Sequence, residues 1–205
     1  DVDPAKPLPK PPMFSVFMDP AGGEPRLGQP RANSAVAADT DFEVTGLMPG
    51  EYFLRVQPNS GFQVKSIQWR GRDYTLTPFD AAANDDLSGV QVVVTNAIPV
   101  LSGSARGRDG AVSDAGIVVL FPADPALWAG TGLWSQRLQS AAIQNTGAYR
   151  LEAPAGEYLV AAIPRTHART WRDPVFLRRI ERQASRVTLA WGQTVTRDLT
   201  LTEIR

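Results

Sequence analysis

The stretch Phe42–Val56, FEVTGLMPGEYFLRV, constrains this chain more than any other, because a shortened version returns at Tyr149–Ala162 as YRLEAPAGEYLVAA. Each copy opens with an aromatic, an aliphatic and a small residue at alternate positions: Phe42, Val44 and Gly46, then Tyr149, Leu151 and Ala153. Each then passes a proline-containing turn and closes on the same tripeptide, Gly50-Glu51-Tyr52 and Gly156-Glu157-Tyr158. Period-2 alternation on two arms, with proline fixing φ and glycine supplying an unusual φ at the bend, is the pattern of a β-hairpin. Two hairpins of one design, about a hundred residues apart, imply two copies of one domain, not a solenoid of short repeats.

Strand patterns surround both hairpins. In the first half, Phe14–Pro20 reads as a strand, 20–33 as a polar loop, Ser34–Ala38 as a short strand and Phe62–Trp69 as a longer one. Residues 76–88 read as a loop, and Val90, Val92 and Val94 alternate into a last strand over 89–95. The second half opens with Leu101–Ala105 and adds helical decoration. Asp124-Pro125 and Asp173-Pro174 each pair an N-cap residue with proline at the first helical position. The second of these predicts a helix to about Ala184, with Leu177, Ile180 and Ala184 on one face. Val187–Leu189, a turn at Trp191-Gly192 and a final strand follow. Many short strands separated by turn residues, without a long helical pattern, predict a sandwich.

The hairpin pattern, aromatic-x-aliphatic-x-Gly-Leu-x-Pro-Gly-x-Tyr-x-Leu, resembles that of carboxypeptidase regulatory-like domains. These are transthyretin-like β-sandwiches appended to many bacterial secreted and surface proteins. Leu101-Ser102-Gly103-Ser104-Ala105 followed by Asp109-Gly110 is similar to the first strand and turn of such a module. Gly116–Pro122 (GIVVLFP) and Thr194–Leu201 also fit. The resemblance covers most of 97–205 and about 14–96. It implies an all-β fold of two tandem Ig-like or transthyretin-like sandwiches, the second with short helical insertions. The domain limits expected are a proline-rich arm at 1–13, a first sandwich at 14–96 and a second at 97–205. The resemblance also implies a scaffold without a shared active site, in a bacterial secreted or cell-surface setting; fold does not specify function.

One mismatch separates the copies. The second begins with the strand Leu101–Ala105, whereas the first has only DVDPAKPLPKPP before Phe14. That stretch holds five prolines and two lysines and cannot donate a regular ladder. The first sandwich is therefore expected to lack an edge strand, leaving backbone groups that need covering.

The bulk numbers narrow the chemistry. At 205 residues and 43% hydrophobic content, the chain can bury one large core or two ordinary ones. No apolar run approaches the ~20 residues of a membrane-spanning helix, so no membrane insertion is expected. Asp1 follows no charged and apolar leader, so any signal peptide is expected to have been removed or to lie outside this sequence. With no cysteine, disulfides, thiolate metal sites and thiol catalysis are excluded. Net charge is zero, yet residues 1–96 carry 8 basic and 12 acidic side chains and 97–205 carry 13 and 9. Opposite halves of −4 and +4 favour head-to-tail contact between chains, weakened by salt.

No catalytic, cofactor-binding or metal residues are assigned. His167 is the sole histidine, and no HxxE or HExxH spacing accompanies it, so a peptidase zinc site is not expected. Asn84-Asp85-Asp86 offers oxygens to calcium, but a competent site needs about six to eight ligands; a solvated turn is expected. Glu51 and Glu157 share one place in the two hairpins and read as turn residues. The tryptophans are more informative. Trp69 sits on a strand and is expected partly in the core. Trp128, Trp134, Trp171 and Trp191 fall in loops and turns, where they either fold back as lids over the sandwich or stay exposed. Exposed, they join Phe14 and Phe17 as candidate interface residues, or stack on sugar rings. Seven arginines between Arg165 and Arg186 read as a solvated helix face. Nucleic acid is not an expected partner, since no recognition motif is present. The function expected is a non-enzymatic structural or interaction module, a subunit of a larger assembly or fibre, with protein as partner. A carbohydrate-binding module that targets an attached enzyme to polysaccharide is the competing reading.

Overall fold

A computed structural model describes residues 13–22, 35–37, 41–58, 61–82, 86–111, 116–132, 135–202 and 204, with the side chains of 35–37 and 58 excepted. The proline-rich residues 1–12, most of the 20–33 loop, Asn84, Asp85 and Trp134 lie outside the described residues. Strands dominate both halves, and the fold is all-β. The chain divides into two compact units, Asp1–Ala97 with Gly130–Ser135, and Ile98–Ala129 with Gln136–Arg205.

The first unit contains β1 (Met13–Pro20), β2 (Ala35–Ala37), β3 (Gly50–Pro58), β4 (Gln63–Trp69), β5 (Arg72–Asp73), β6 (Phe79–Ala81) and β7 (Gln91–Thr95). They form two sheets, in the orders β2-β1-β3-β6 and β5-β4-β7. β1 and β3 are antiparallel from Phe14↔Pro58 to Pro20↔Tyr52. That register puts Phe14, Val16 and Met18 on the same face as Tyr52, Leu54 and Val56, and all six are buried. Phe62, Val64 and Ile67 supply the opposing face of the same core. β6 lies within 76–88, which reads as a loop in the sequence. Only Phe79 and Ala81 mark it, flanking an exposed Asp80, and it pairs with just the first three residues of β3.

One arm of the first hairpin departs from expectation. Asp41–Met48 forms no strand. The alternation survives without the ladder: Phe42 and Val44 are half-buried against the core, while Asp41, Glu43 and Thr45 are exposed.

The second unit contains β8 (Val100–Arg106), β9 (Gly116–Pro122), β10 (Gln139–Ala142), β11 (Ala148–Glu152), β12 (Gly156–Pro164), α1 (Pro174–Ile180), β13 (Ser185–Leu189), β14 (Thr194–Thr196) and β15 (Leu199–Thr200). One sheet runs β10-β9-β12-β13 and the other β11-β8-β14, with β15 also parallel to β8. Here both hairpin arms are strands, and β11 pairs with β8 from Ala148↔Ser104 to Glu152↔Val100.

The run GIVVLFP in β9 is buried at every position, and both faces have partners. Val118 and Leu120 face the sandwich core with Leu101, Tyr149 and Tyr158. Val119 and Phe121 face outward under Trp128, Trp171, Phe176, Leu177 and Ile180. The helical insertions therefore cover a sheet face that is apolar along β9 and β12. Asp124 and Asp173 cap their segments, accepting from the N–H of Ala126 at 2.9 Å and of Val175 at 2.8 Å. α1 is shorter than expected: it ends at Ile180 and tightens into a 3₁₀ turn over Glu181–Gln183.

Candidate interaction surface

The shared Gly-Glu-Tyr tripeptide places one tyrosine at the same point of both hairpins, with different outcomes. Tyr158 is fully buried. Its hydroxyl donates to the Pro154 carbonyl at 2.8 Å and accepts from Arg137 Nη1 at 3.1 Å. This closes the turn in the manner of a tyrosine corner. A Cβ on Gly156 would stand 2.5 Å from Arg137 Nη1, so glycine there makes room for the guanidinium. Burial pushes the Tyr158 phenol up to about 12, with Arg137 opposing the shift. Tyr52 is equally buried at 1% exposure, yet its hydroxyl has no hydrogen-bond partner among the described residues, and neither does Gln63 Oε1. A buried hydroxyl without a partner costs about 1–3 kcal/mol.

The arms leading into the two tripeptides differ in the same sense. In the second unit β11 is laddered to β8, and Tyr149 fixes the register further. Its hydroxyl donates to the Arg197 carbonyl at 2.5 Å, which lies so close to Gly103 that a Cβ there would meet it at 2.0 Å. Asp198 then accepts from both the N–H and the hydroxyl of Ser104, each at 2.8 Å. Those two bonds hold its carboxyl below the usual carboxylate range. In the first unit the matching arm, Asp41–Leu47, has no strand partner among the described residues. An extended segment with one face on a core and an unpaired backbone edge is a template for another strand.

The first unit also buries a charge pair. Asp19, 2% exposed, accepts from Arg55 Nε at 3.0 Å, and Arg55 donates a second bond to the Thr131 carbonyl. Burial lowers the Arg55 pKa, and the hydrogen bond and charge of Asp19 oppose that shift. Sequence reading missed this pair, because nothing local marks Asp19 as inward-facing.

The six aromatics singled out from the sequence separate. Trp128 and Trp171, each 3% exposed, fold back into the core of the second unit. The Trp128 indole N–H donates to the Pro122 carbonyl at 2.7 Å. They are lids, not a stacking platform. Phe14 is core. Phe17 and Trp191 are half-buried and reach solvent, and Trp134 is outside the described residues. Trp69 is half-buried against Tyr74 and Phe79.

The His167 ring lies 5.0 Å from that of Phe176, tilted by 42°. Among the described residues no group of three or more His, Asp or Glu could hold a metal. Asp86 is used locally, accepting from the Ser88 N–H at 2.9 Å. The seven arginines from Arg165 to Arg186 are all exposed. Arg178 lies over Trp128 at 4.8 Å and reaches Glu181 at 3.1 Å, while Arg172 lies over Trp171 at 5.3 Å. Part of this cluster therefore roofs the buried indoles.

No protein-family model and no curated protein matches the sequence. Among solved structures the chain is similar to the TIE protein of Bacillus anthracis, at 10% identity and a TM-score of 0.31, over 93% of this chain and 34% of that one. It thus spans about a third of that protein's length. It is also similar to BcpA, the major pilin subunit of Bacillus cereus, at 6% identity and a TM-score of 0.27, over 92% and 93% of the two chains. A third likeness is to the major pilin from Streptococcus pyogenes, at 13% identity and a TM-score of 0.20, over 98% and 96%.

Proposed function

We propose that this chain is a non-enzymatic structural and interaction module of a bacterial extracellular or cell-surface protein. In this reading it is a tandem pair of carboxypeptidase regulatory-like sandwiches that enters a larger assembly through protein contacts. The observation that supports it is the contrast between the copies. The second unit closes its hairpin arm in a sheet and satisfies its corner tyrosine. The first unit leaves the same arm unladdered and the same hydroxyl without a partner among the described residues. The half-buried Phe17 and Trp191 are proposed contributors to such contacts. The burial of Trp128 and Trp171 counts against a carbohydrate platform built on them.

Sedimentation velocity of the full chain over a broad concentration range tests the reading. Self-association is expected, strengthened at low salt by the opposite charges of the two halves. A hydrolase activity, or stoichiometric zinc lost on His167→Ala, contradicts the non-enzymatic assignment. A glycan-array signal abolished by Trp191→Ala contradicts the assignment of protein as partner and favours the carbohydrate-binding reading.

A further inference from the structure

We propose that the arm Asp41–Leu47 is a strand acceptor, and that its occupant is the segment Lys6–Pro11 of a second copy of this chain. The inference rests on the assembly reading above and names the contact that makes the assembly.

Three observations point to this occupant. The first is backbone chemistry. In KPLPKP the prolines stand at 7, 9 and 11, and alternate residues of a strand direct their backbone groups to opposite edges. All three missing N–H groups therefore fall on one edge, while Leu8 and Lys10 offer theirs on the other. Such a segment can pair along one side only, which is the one place in a sheet where proline is accommodated. It would end the sheet it joins.

The second observation is side-chain complementarity. The same period of two puts the proline rings on one face and Lys6, Leu8 and Lys10 on the other. The acceptor arm has the matching pattern: Phe42 and Val44 toward the core, with Asp41, Glu43 and Thr45 exposed. Rings meet the apolar face; with Leu8 opposite Glu43 in an antiparallel pair, Lys10 faces Asp41 and Lys6 lies diagonal to Glu43. Opposite charges across a strand pair stabilise it.

The third observation is reach, and it favours a second copy. In the second unit the strand that pairs with this arm is β8, and nine residues (107–115) carry the chain from β8 to β9 in the opposite sheet. In the first unit only Pro12 separates Pro11 from β1. Two residue steps span ~7 Å at full extension, and stacked sheets stand ~10 Å apart. A pairing that runs the full length to Pro11 therefore fits the arm of another copy better than the arm of its own unit. On another copy no such tether applies.

Because the protein has no cysteine, crosslinking reads the contact directly. A chain carrying both Leu8→Cys and Glu43→Cys is expected to give a ladder of covalent dimers and higher species on mild oxidation. A mixture of the Leu8→Cys chain with a Glu43→Cys chain lacking residues 1–12 is expected to give a heterodimer. The exposed Thr188 of the second unit, as Thr188→Cys in place of Glu43→Cys, is expected to give none. Self-association of the unmodified chain should weaken roughly tenfold or more with Lys6→Glu and Lys10→Glu, and recover when that chain is mixed with Asp41→Lys and Glu43→Lys. A closed, internally linked monomer from the double-cysteine chain overturns the proposal in favour of pairing within one chain. Absence of any link, while the native chain still associates in sedimentation, overturns strand donation and leaves the assembly reading standing. A native chain that never associates overturns both.

Discussion

Tyr52 and Tyr158 stand at one position of one hairpin design, and their side chains are worth different amounts. Tyr158→Phe removes a hydroxyl that both donates and accepts, and should destabilise the second unit by about 1 kcal/mol. Tyr52→Phe removes a hydroxyl without a partner among the described residues, and should leave the first unit unchanged or slightly more stable. Thermal melts of the two variants separate these outcomes. Titration gives a second check. Burial raises the folded-state pKa of Tyr158 from 10.0 to about 12, and that of Tyr149 further in the same direction. A raised pKa means that the neutral phenol is favoured by folding. This contribution is present in full below pH 10 and is lost as pH rises through the folded value. The second unit should therefore lose stability between about pH 10 and 12, and the loss should shrink in Tyr158→Phe. The tripeptide that places these tyrosines is plain in the sequence. Their partners are not, since Arg137 lies 21 positions before Tyr158 and meets it only through the fold.

At the scale of elements, period-2 burial made most strands legible, because one-sided burial writes itself into the sequence as alternation. β6 escaped because two apolar residues around an aspartate make no pattern, and its strand exists only by pairing with β3. The unladdered arm Asp41–Leu47 is the converse: its alternation is intact, yet it has no strand partner among the described residues. Trp128 and Trp171 sit in loops whose sequence does not show burial. They are buried because β9 and β12 present an apolar outer face that must be covered. Tertiary demand of this kind is also what fixes Gly103. Any Cβ there collides with the Arg197 carbonyl, which Tyr149 holds in place. Gly103→Ala should destabilise the second unit by about 1–3 kcal/mol, loosening β14 and β15 first, as hydrogen exchange of Thr194–Thr200 would show. In the first unit, Arg55→Met removes the guanidinium from a buried carboxylate and should cost about 3–5 kcal/mol, measurable by urea denaturation.

For the molecule as a whole, two copies of one sandwich design differ at the place where a strand would be added. In the second unit β8 fills it; in the first the matching arm has no strand partner among the described residues. The proline-rich segment before Phe14, which marks the mismatch between the copies in the sequence, lies outside the described residues, and the pairing proposed for it rests on the exposed and half-buried positions of the arm. Amide hydrogen exchange on the full chain tests this contrast most directly. In dilute solution the amides of Phe42–Leu47 should exchange at least roughly tenfold faster than those of Tyr149–Leu151, and should gain protection as concentration rises. Equal protection of the two arms in dilute solution, unchanged on concentration, would show the first arm already paired and contradict the account.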